Sequence, residues 1–175
     1  LNLGCSSCNW ETTFGMNPSN NNYGYILGMG TMKLIQTTDG WNTWKSYSLD
    51  NLIVTPILGS FSHDPKLTFT NDGKLTIINV VSNAVSNTLI YNGALYQDIS
   101  PNNFPPKLKQ ILINPILTAT STTNRNQNLY FDYAKIAIDN YPSSPYFGNI
   151  YISAIYTPPG YTGTGRSFFV ISNDF

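Results

Sequence analysis

The sequence predicts an all-β protein of many short strands, and three observations carry that reading. Asn makes up about an eighth of the 175 residues, and Tyr, Ile, Thr and Ser are plentiful. Asn disfavours helix interiors and suits turns, whereas Tyr, Ile, Thr, Val and Phe suit strands. No stretch of about 11 residues keeps a helical period without a Pro, Gly or Asn cluster breaking it. Polar and Gly turn signals recur between the apolar runs.

Taken in order, "YGYILGMG" (23–30) and "MKLIQTT" (32–38) read as strands flanking Thr31, and "KSYSL" (45–49) follows. "KLTFT" (66–70), a turn at Asn71-Asp72-Gly73, and "KLTIINVVS" (74–82) read as a hairpin. "NTLIYN" (87–92), a turn at Asn92-Gly93, and "ALYQDI" (94–99) read as another. "KLKQILIN" (107–114) reads as a strand or a single short turn ended by Pro115, and "TATSTTNRNQN" (118–128) as a polar loop. "AKIAID" (134–139), "GNIYISAIY" (148–156) and "RSFFVIS" (166–172) complete the strands. Many short strands with regular turns mean a sandwich, a barrel or a propeller.

Composition narrows the partners. Nine basic and nine acidic residues cancel, and charged residues are only 10% of the chain. With no basic patch, a nucleic-acid partner is not expected. No apolar run approaches the roughly 18 residues that span a bilayer as a helix, so membrane insertion is not expected either. The chain starts at Leu1 without a signal-peptide pattern, which suits a processed chain or a piece of a longer one. No Asn-x-Ser/Thr sequon occurs, so N-glycosylation is not expected.

The spacing selects among the all-β architectures. Segments beginning at Phe14, Asp64 and Ala134 share one plan: strand, polar turn, strand, looser loop, third strand, polar turn. The first two add a fourth strand. A four-stranded unit repeated at roughly 40 to 60 residues is the mark of propeller blades. The expected blades are 12–52, 53–100 and 129–175, with a linker at 101–128. A β-sandwich or jelly roll is the competing architecture.

Thr37-x-Asp39-Gly40-x-x-Thr43-Trp44 resembles the Asp box of sialidase-like (BNR-repeat) propellers, Ser/Thr-x-Asp-x-Gly-x-Thr-Trp. Trp41 stands where that family has Gly. Asp39 suits a hairpin tip because its carboxylate can accept from its own turn, and Trp44 is expected to bury its ring between sheets. Ser172-x-Asp174 resembles the first half of a second box. "FDYAKIAIDNYPSSPYFGNIYISAIY" (131–156) and "HDPKLTFTNDGKLTI" (63–77) resemble blades of the same family. Closed propellers have about four to eight blades. Two blades and part of a third therefore imply a fragment of a longer propeller, or neighbouring chains that supply the missing strands.

The resemblance implies sialidase chemistry, and the residues for it are sparse. Such a site uses an arginine triad, an Asp acid/base and a Tyr nucleophile assisted by Glu. This chain has only Arg125, Arg166 and one Glu, Glu11. The resemblance makes Arg125 and Arg166 candidate substrate-binding residues, against the plainer reading of solvent-exposed arginines. Asp64, before Pro65 at a strand start, is the best single catalytic or substrate-binding candidate, against a turn cap. Asp139, at a strand end, is a weaker one. Two carboxylates could act together in glycoside hydrolysis.

Other motifs are local. His63 is the sole histidine, so any Ser-His-Asp triad or multi-His metal site depends on it. Cys5-Ser-Ser-Cys8 is a single pair without the second pair a structural zinc needs. A local disulfide, implying an oxidising compartment, or two free thiols account for it. "GYTGTG" (160–165) lacks the Lys of a phosphate loop. Propellers of the resembled family sometimes hold calcium, and no other cofactor is implied.

The poverty of Arg, Glu and His favours a non-catalytic, surface-displayed interaction or structural propeller, extracellular or on a cell or virion surface. Partners of this kind are other proteins or copies of the same chain. A glycan-binding module, with exposed Tyr and Trp stacking on sugars, is the first alternative. Part of a sialidase-like glycosidase, completed by sequence beyond this chain, is the second.

Overall fold

A computed structural model describes residues 12–28, 33–54, 60–85, 88–100, 104–122, 131–156 and 166–172. The chain is all-β, with antiparallel sheets and, among the described residues, one short 3-10 turn at Leu49–Leu52. The first sheet is a meander of β1 (Thr12–Met16), β2 (Gly24–Gly28), β3 (Lys33–Thr37) and β4 (Lys45–Ser48). The second is a meander of β5 (Ser60–Phe69), β6 (Leu75–Val85), β7 (Thr88–Asp98) and β8 (Leu108–Thr122). The third orders β9 (Phe131–Ile138), β10 (Ile150–Tyr156) and β11 (Arg166–Ser172) the same way. Each described sheet is open and none closes on itself.

Strand alternation builds the core. Tyr25 and Leu27 of β2, Leu34 of β3, Leu67 and Phe69 of β5 and Leu75 and Ile77 of β6 form one buried cluster between the first and second sheets. Ala94 and Tyr96 of β7 and Leu108 of β8 extend it. Over residues 75–79 β6 is buried on both faces, because Thr76 and Ile78 alternate with Leu75 and Ile77 and are equally enclosed. The third sheet contributes Ala134, Ile150, Ile152 and Ala154 to the interior. Each fully buried Leu or Ile side chain adds roughly 1.5 to 3 kcal/mol of hydrophobic stabilisation.

The first strands of the three sheets lie side by side, with β5 touching both β1 and β9. Gly15 permits the approach of β1. A Cβ there would meet Leu67 Cδ1 at 2.8 Å and Phe69 Cε2 at 3.2 Å. The turns at one end tie the sheets together as well. Asn17 Nδ2 donates to Gly73 O at 3.3 Å, and Asn140 Nδ2 donates to Phe69 O at 2.8 Å.

Three local expectations are corrected. Asn92-Gly93 does not turn the chain. β7 runs straight through it, pairing Asn92 with Val81 and Gly93 with Val80 of β6. The irregularity falls on the neighbouring strand instead, where β8 steps from Ile113 opposite Ala94 to Thr118 opposite Asn92. Asn114-Pro115 lies in that step, where the missing proline N–H costs no ladder bond. Residues 118–122, expected in a loop, continue β8, and the span 101–128 set apart as a linker contains the second sheet's fourth strand.

Candidate functional site

In an antiparallel meander the first and third connections lie at one end, and this end carries the well-defined side-chain clusters. Thr37, the last residue of β3, begins the turn over 38–44. Its hydroxyl donates to Asp39 Oδ1 at 3.0 Å and accepts the N–H of Trp41 at 2.8 Å. Asp39 Oδ1 accepts the Thr43 N–H at 2.8 Å, and Oδ2 accepts the Thr43 hydroxyl at 2.6 Å. Asn42 Nδ2 closes on Asp39 O at 2.7 Å. The Thr43 hydroxyl and N–H hold the Asp39 carboxyl below its ordinary range.

Gly40 and Trp41 both adopt left-handed backbone, with φ of 66° and 71°. Trp41 occupies a conformation that favours Gly. Its ring compensates by packing on β1 and β2: Nε1–H donates to Met16 Sδ at 3.1 Å, and Cζ2 lies 3.0 Å from where a Gly24 Cβ would stand.

The second sheet repeats the first half of this turn. Thr70-Asn71-Asp72-Gly73 matches Thr37-Thr38-Asp39-Gly40 in Thr, Asp and Gly. Thr70 Oγ1 donates to Asp72 Oδ1 and accepts the Lys74 N–H at 2.9 Å. Here the turn joins the first and second strands of its sheet, not the third and fourth. Ser172 ends β11 opposite Ile150, the first residue of β10, as Thr37 ends β3 opposite Gly24, the first residue of β2. Asp174 lies outside the described residues.

Trp44 does not bury its ring between sheets as expected. It remains 38% exposed and forms a wall of a cleft of about 310 Å³. Tyr23, Tyr47 and Phe104 supply the other aromatic walls, and Gln36, Thr38, Thr43 and Lys45 the polar ones. Tyr23 and Phe104 pack at a centroid distance of 4.6 Å, inclined by 58°. That pair spans the two sheets' connections, because Tyr23 precedes β2 and Phe104 lies between β7 and β8. Under the cleft Gln36 Nε2 donates to the buried Tyr25 hydroxyl at 3.0 Å. Burial raises the Tyr25 pKa, with Asp98 adding to the shift, so this phenol stays neutral.

Asp98 anchors the loop that carries Phe104. Its Oδ1 accepts the Ser100 N–H at 2.9 Å, the Ser100 hydroxyl at 3.2 Å and the Lys107 N–H at 3.1 Å. Burial raises the Asp98 pKa against the lowering effect of these bonds.

No protein-family model, curated protein or solved structure matches this chain.

Asp139 organises its own turn: Oδ1 accepts the Tyr141 N–H at 3.0 Å and Oδ2 the Ser144 hydroxyl at 2.6 Å. Asp64 sits within β5, where Asp64-Pro65 forms a bulge between His63 opposite Val80 and Lys66 opposite Ile78. Arg166 begins β11 opposite Tyr156. Arg125, Glu11, Cys5 and Cys8 lie outside the described residues. Among the described residues, no three His, Cys, Asp or Glu side chains gather as metal ligands, and no helix is long and apolar enough to cross a membrane.

Sequence reasoning found the Asp39 turn and missed the cleft. Tyr23, Gln36, Tyr47 and Phe104 come from separate strands and connections, so no local motif marks them. The Thr70-x-Asp72-Gly73 turn carried a usable signal, its identity with Thr37-x-Asp39-Gly40.

Proposed function

We propose that this chain is a non-catalytic, surface-displayed binding module built from sialidase-like propeller blades, and that its ligand is a glycan seated in the cleft walled by Tyr23, Trp44, Tyr47 and Phe104. The observation that carries this reading is the combination of two exposed rings, Trp44 and Phe104, and two half-buried ones, Tyr23 and Tyr47, with a hydroxyl and ammonium rim. A sugar ring has apolar C–H faces and a hydroxyl edge. Aromatic rings cover the faces, and Thr38, Thr43 and Lys45 bond to the edge above the buried Gln36–Tyr25 pair. The carboxylates of Asp39 and Asp139 are committed to their own turns, which argues for binding over hydrolysis.

Three consecutive meanders with adjacent first strands support the propeller reading, as does a box-like turn after β3. The reading is tested by applying the chain to immobilised oligosaccharides and assaying the same sugars for released product. Retention without product is expected. Product release, or no retention of any glycan, overturns it.

A further inference from the structure

A second cleft, of about 280 Å³, lies between the second and third sheets. Its walls are the β5–β6 turn, the end of β7 and the β9–β10 turn. We infer that this cleft is a second carbohydrate subsite, selective for uncharged sugars, with Phe147 as its stacking platform. It stands on its own residues and does not depend on the first cleft.

Phe147 is 48% exposed beside the polar groups of Asn71, Asp72, Gln97 and Asn140. The platform is held by backbone bonds. Phe147 N–H donates to Ser144 O at 3.2 Å, and Gly148 N–H donates to Asp139 O at 2.8 Å. Gly148 takes φ 86°, which turns the chain immediately after the ring. A platform fixed before binding loses little freedom when the ligand arrives.

The charge pattern selects the ligand class. Asp72 Oδ2 pairs with Lys74 Nζ at 2.8 Å, and these are the charged residues among the described lining. The cleft therefore presents no net charge. A phosphate or sulfate would find no surplus cation. Asn140 Nδ2 already donates to Phe69 O, Gln97 Nε2 to the Thr76 hydroxyl at 3.4 Å, and Asp72 is held by Thr70 and Lys74. A purely apolar ligand would still shut the remaining donor and acceptor sites of these groups off from water. A neutral sugar satisfies both demands, with one ring face on Phe147 and its hydroxyls on the amides and Asp72. The first cleft differs, because Lys45 is the charged residue among its described walls.

Gln97 of the second cleft and Asp98, which anchors the first cleft's loop, are neighbours on β7. Strand alternation points them to opposite faces of the second sheet. The two clefts thus flank one sheet. A repeating polysaccharide held at both would gain avidity without a new contact.

The test uses the intact chain, Trp44→Ala, Phe147→Ala, Phe147→Tyr and the Trp44→Ala/Phe147→Ala double variant. The probe is an array of immobilised neutral hexose and N-acetylhexosamine oligosaccharides, with sulfated and carboxylated ones alongside. Phe147→Ala is expected to weaken neutral-glycan binding by roughly tenfold or more, the scale of one lost aromatic contact. Phe147→Tyr restores it, and the circular dichroism of both variants matches the parent chain's. Binding by Phe147→Ala equal to the parent chain, a loss confined to charged glycans, or no neutral-glycan binding by the parent chain overturns the inference. If Trp44→Ala binds normally while Phe147→Ala does not, the first cleft's assignment fails and this one stands.

Discussion

Thr43 directs both of its donors at Asp39, the N–H at 2.8 Å to Oδ1 and the hydroxyl at 2.6 Å to Oδ2. The carboxylate thus fastens the far end of the turn to its start. Asn in place of Asp39 keeps one acceptor oxygen and loses the other. Asp39→Asn is expected to lower the melting temperature at pH 7. A carboxyl whose folded pKa lies below its unfolded value stabilises the fold above the unfolded value, and loses that effect as pH falls through the folded one. The gap between the parent chain and Asp39→Asn therefore narrows in acid, below the usual Asp value of about 3.9. Thermal melts at pH 7 and in acid check this, and an unchanged gap contradicts it.

Trp41 makes a different prediction. Its ring packs on β1 and β2, but its backbone takes φ 71°. Trp41→Ala loses the ring and keeps the strain. Trp41→Gly loses the ring and relieves the strain. The Gly variant should therefore be the more stable of the two, by about 1 kcal/mol. Urea titration of both variants gives the ordering directly.

Gly73 and Gly148 separate backbone strain from crowding. Both have positive φ, 82° and 86°. A Cβ at Gly73 would meet Asn17 Nδ2 at 2.7 Å and Ser19 Oγ at 2.8 Å, whereas one at Gly148 meets nothing within 4 Å. Gly148→Ala is expected to cost about 1 to 2 kcal/mol from the left-handed backbone alone. Gly73→Ala costs more, because it also disturbs the Asn17 bridge to Gly73 O. Equal costs in denaturant melts contradict the bridge's role.

Asp98 reverses the sign found at Asp39. Burial raises its pKa, so its charge opposes folding as pH rises from the unfolded to the folded value. Asp98→Asn keeps an oxygen for the Ser100 and Lys107 N–H groups and removes the buried charge. It is expected to match or exceed the parent chain's stability at pH 7, with the advantage fading on acidification. Asp98→Ala leaves those donors without their acceptor, at about 1 to 3 kcal/mol, and loosens the loop carrying Phe104. Melts of both variants across pH test the pair of expectations.

The sequence made the all-β class legible through Asn-rich turns and β-favouring runs, and Asn71-Asp72-Gly73 turned the chain as read. Asn92-Gly93 carried an equally strong local signal and did not turn, because β7 is paired on both sides and long-range ladder bonds override a dipeptide's preference. Trp44 was misread for a related reason. Its neighbours in the fold, Tyr23 and Phe104, come from other connections, and only their arrangement leaves the ring open to solvent. Asp39's role was readable because every partner lies within four residues of it.

The most direct measurement is calorimetric titration of the intact chain, Trp44→Phe and Trp44→Ala with the oligosaccharide the chain retains best. If the aromatic cleft is the binding site, the parent chain binds and Trp44→Phe stays within a few-fold of it. Trp44→Ala then weakens by roughly tenfold or more with its circular dichroism unchanged. Trp44→Ala binding as tightly as the parent chain, or a parent chain that binds no oligosaccharide, contradicts the account.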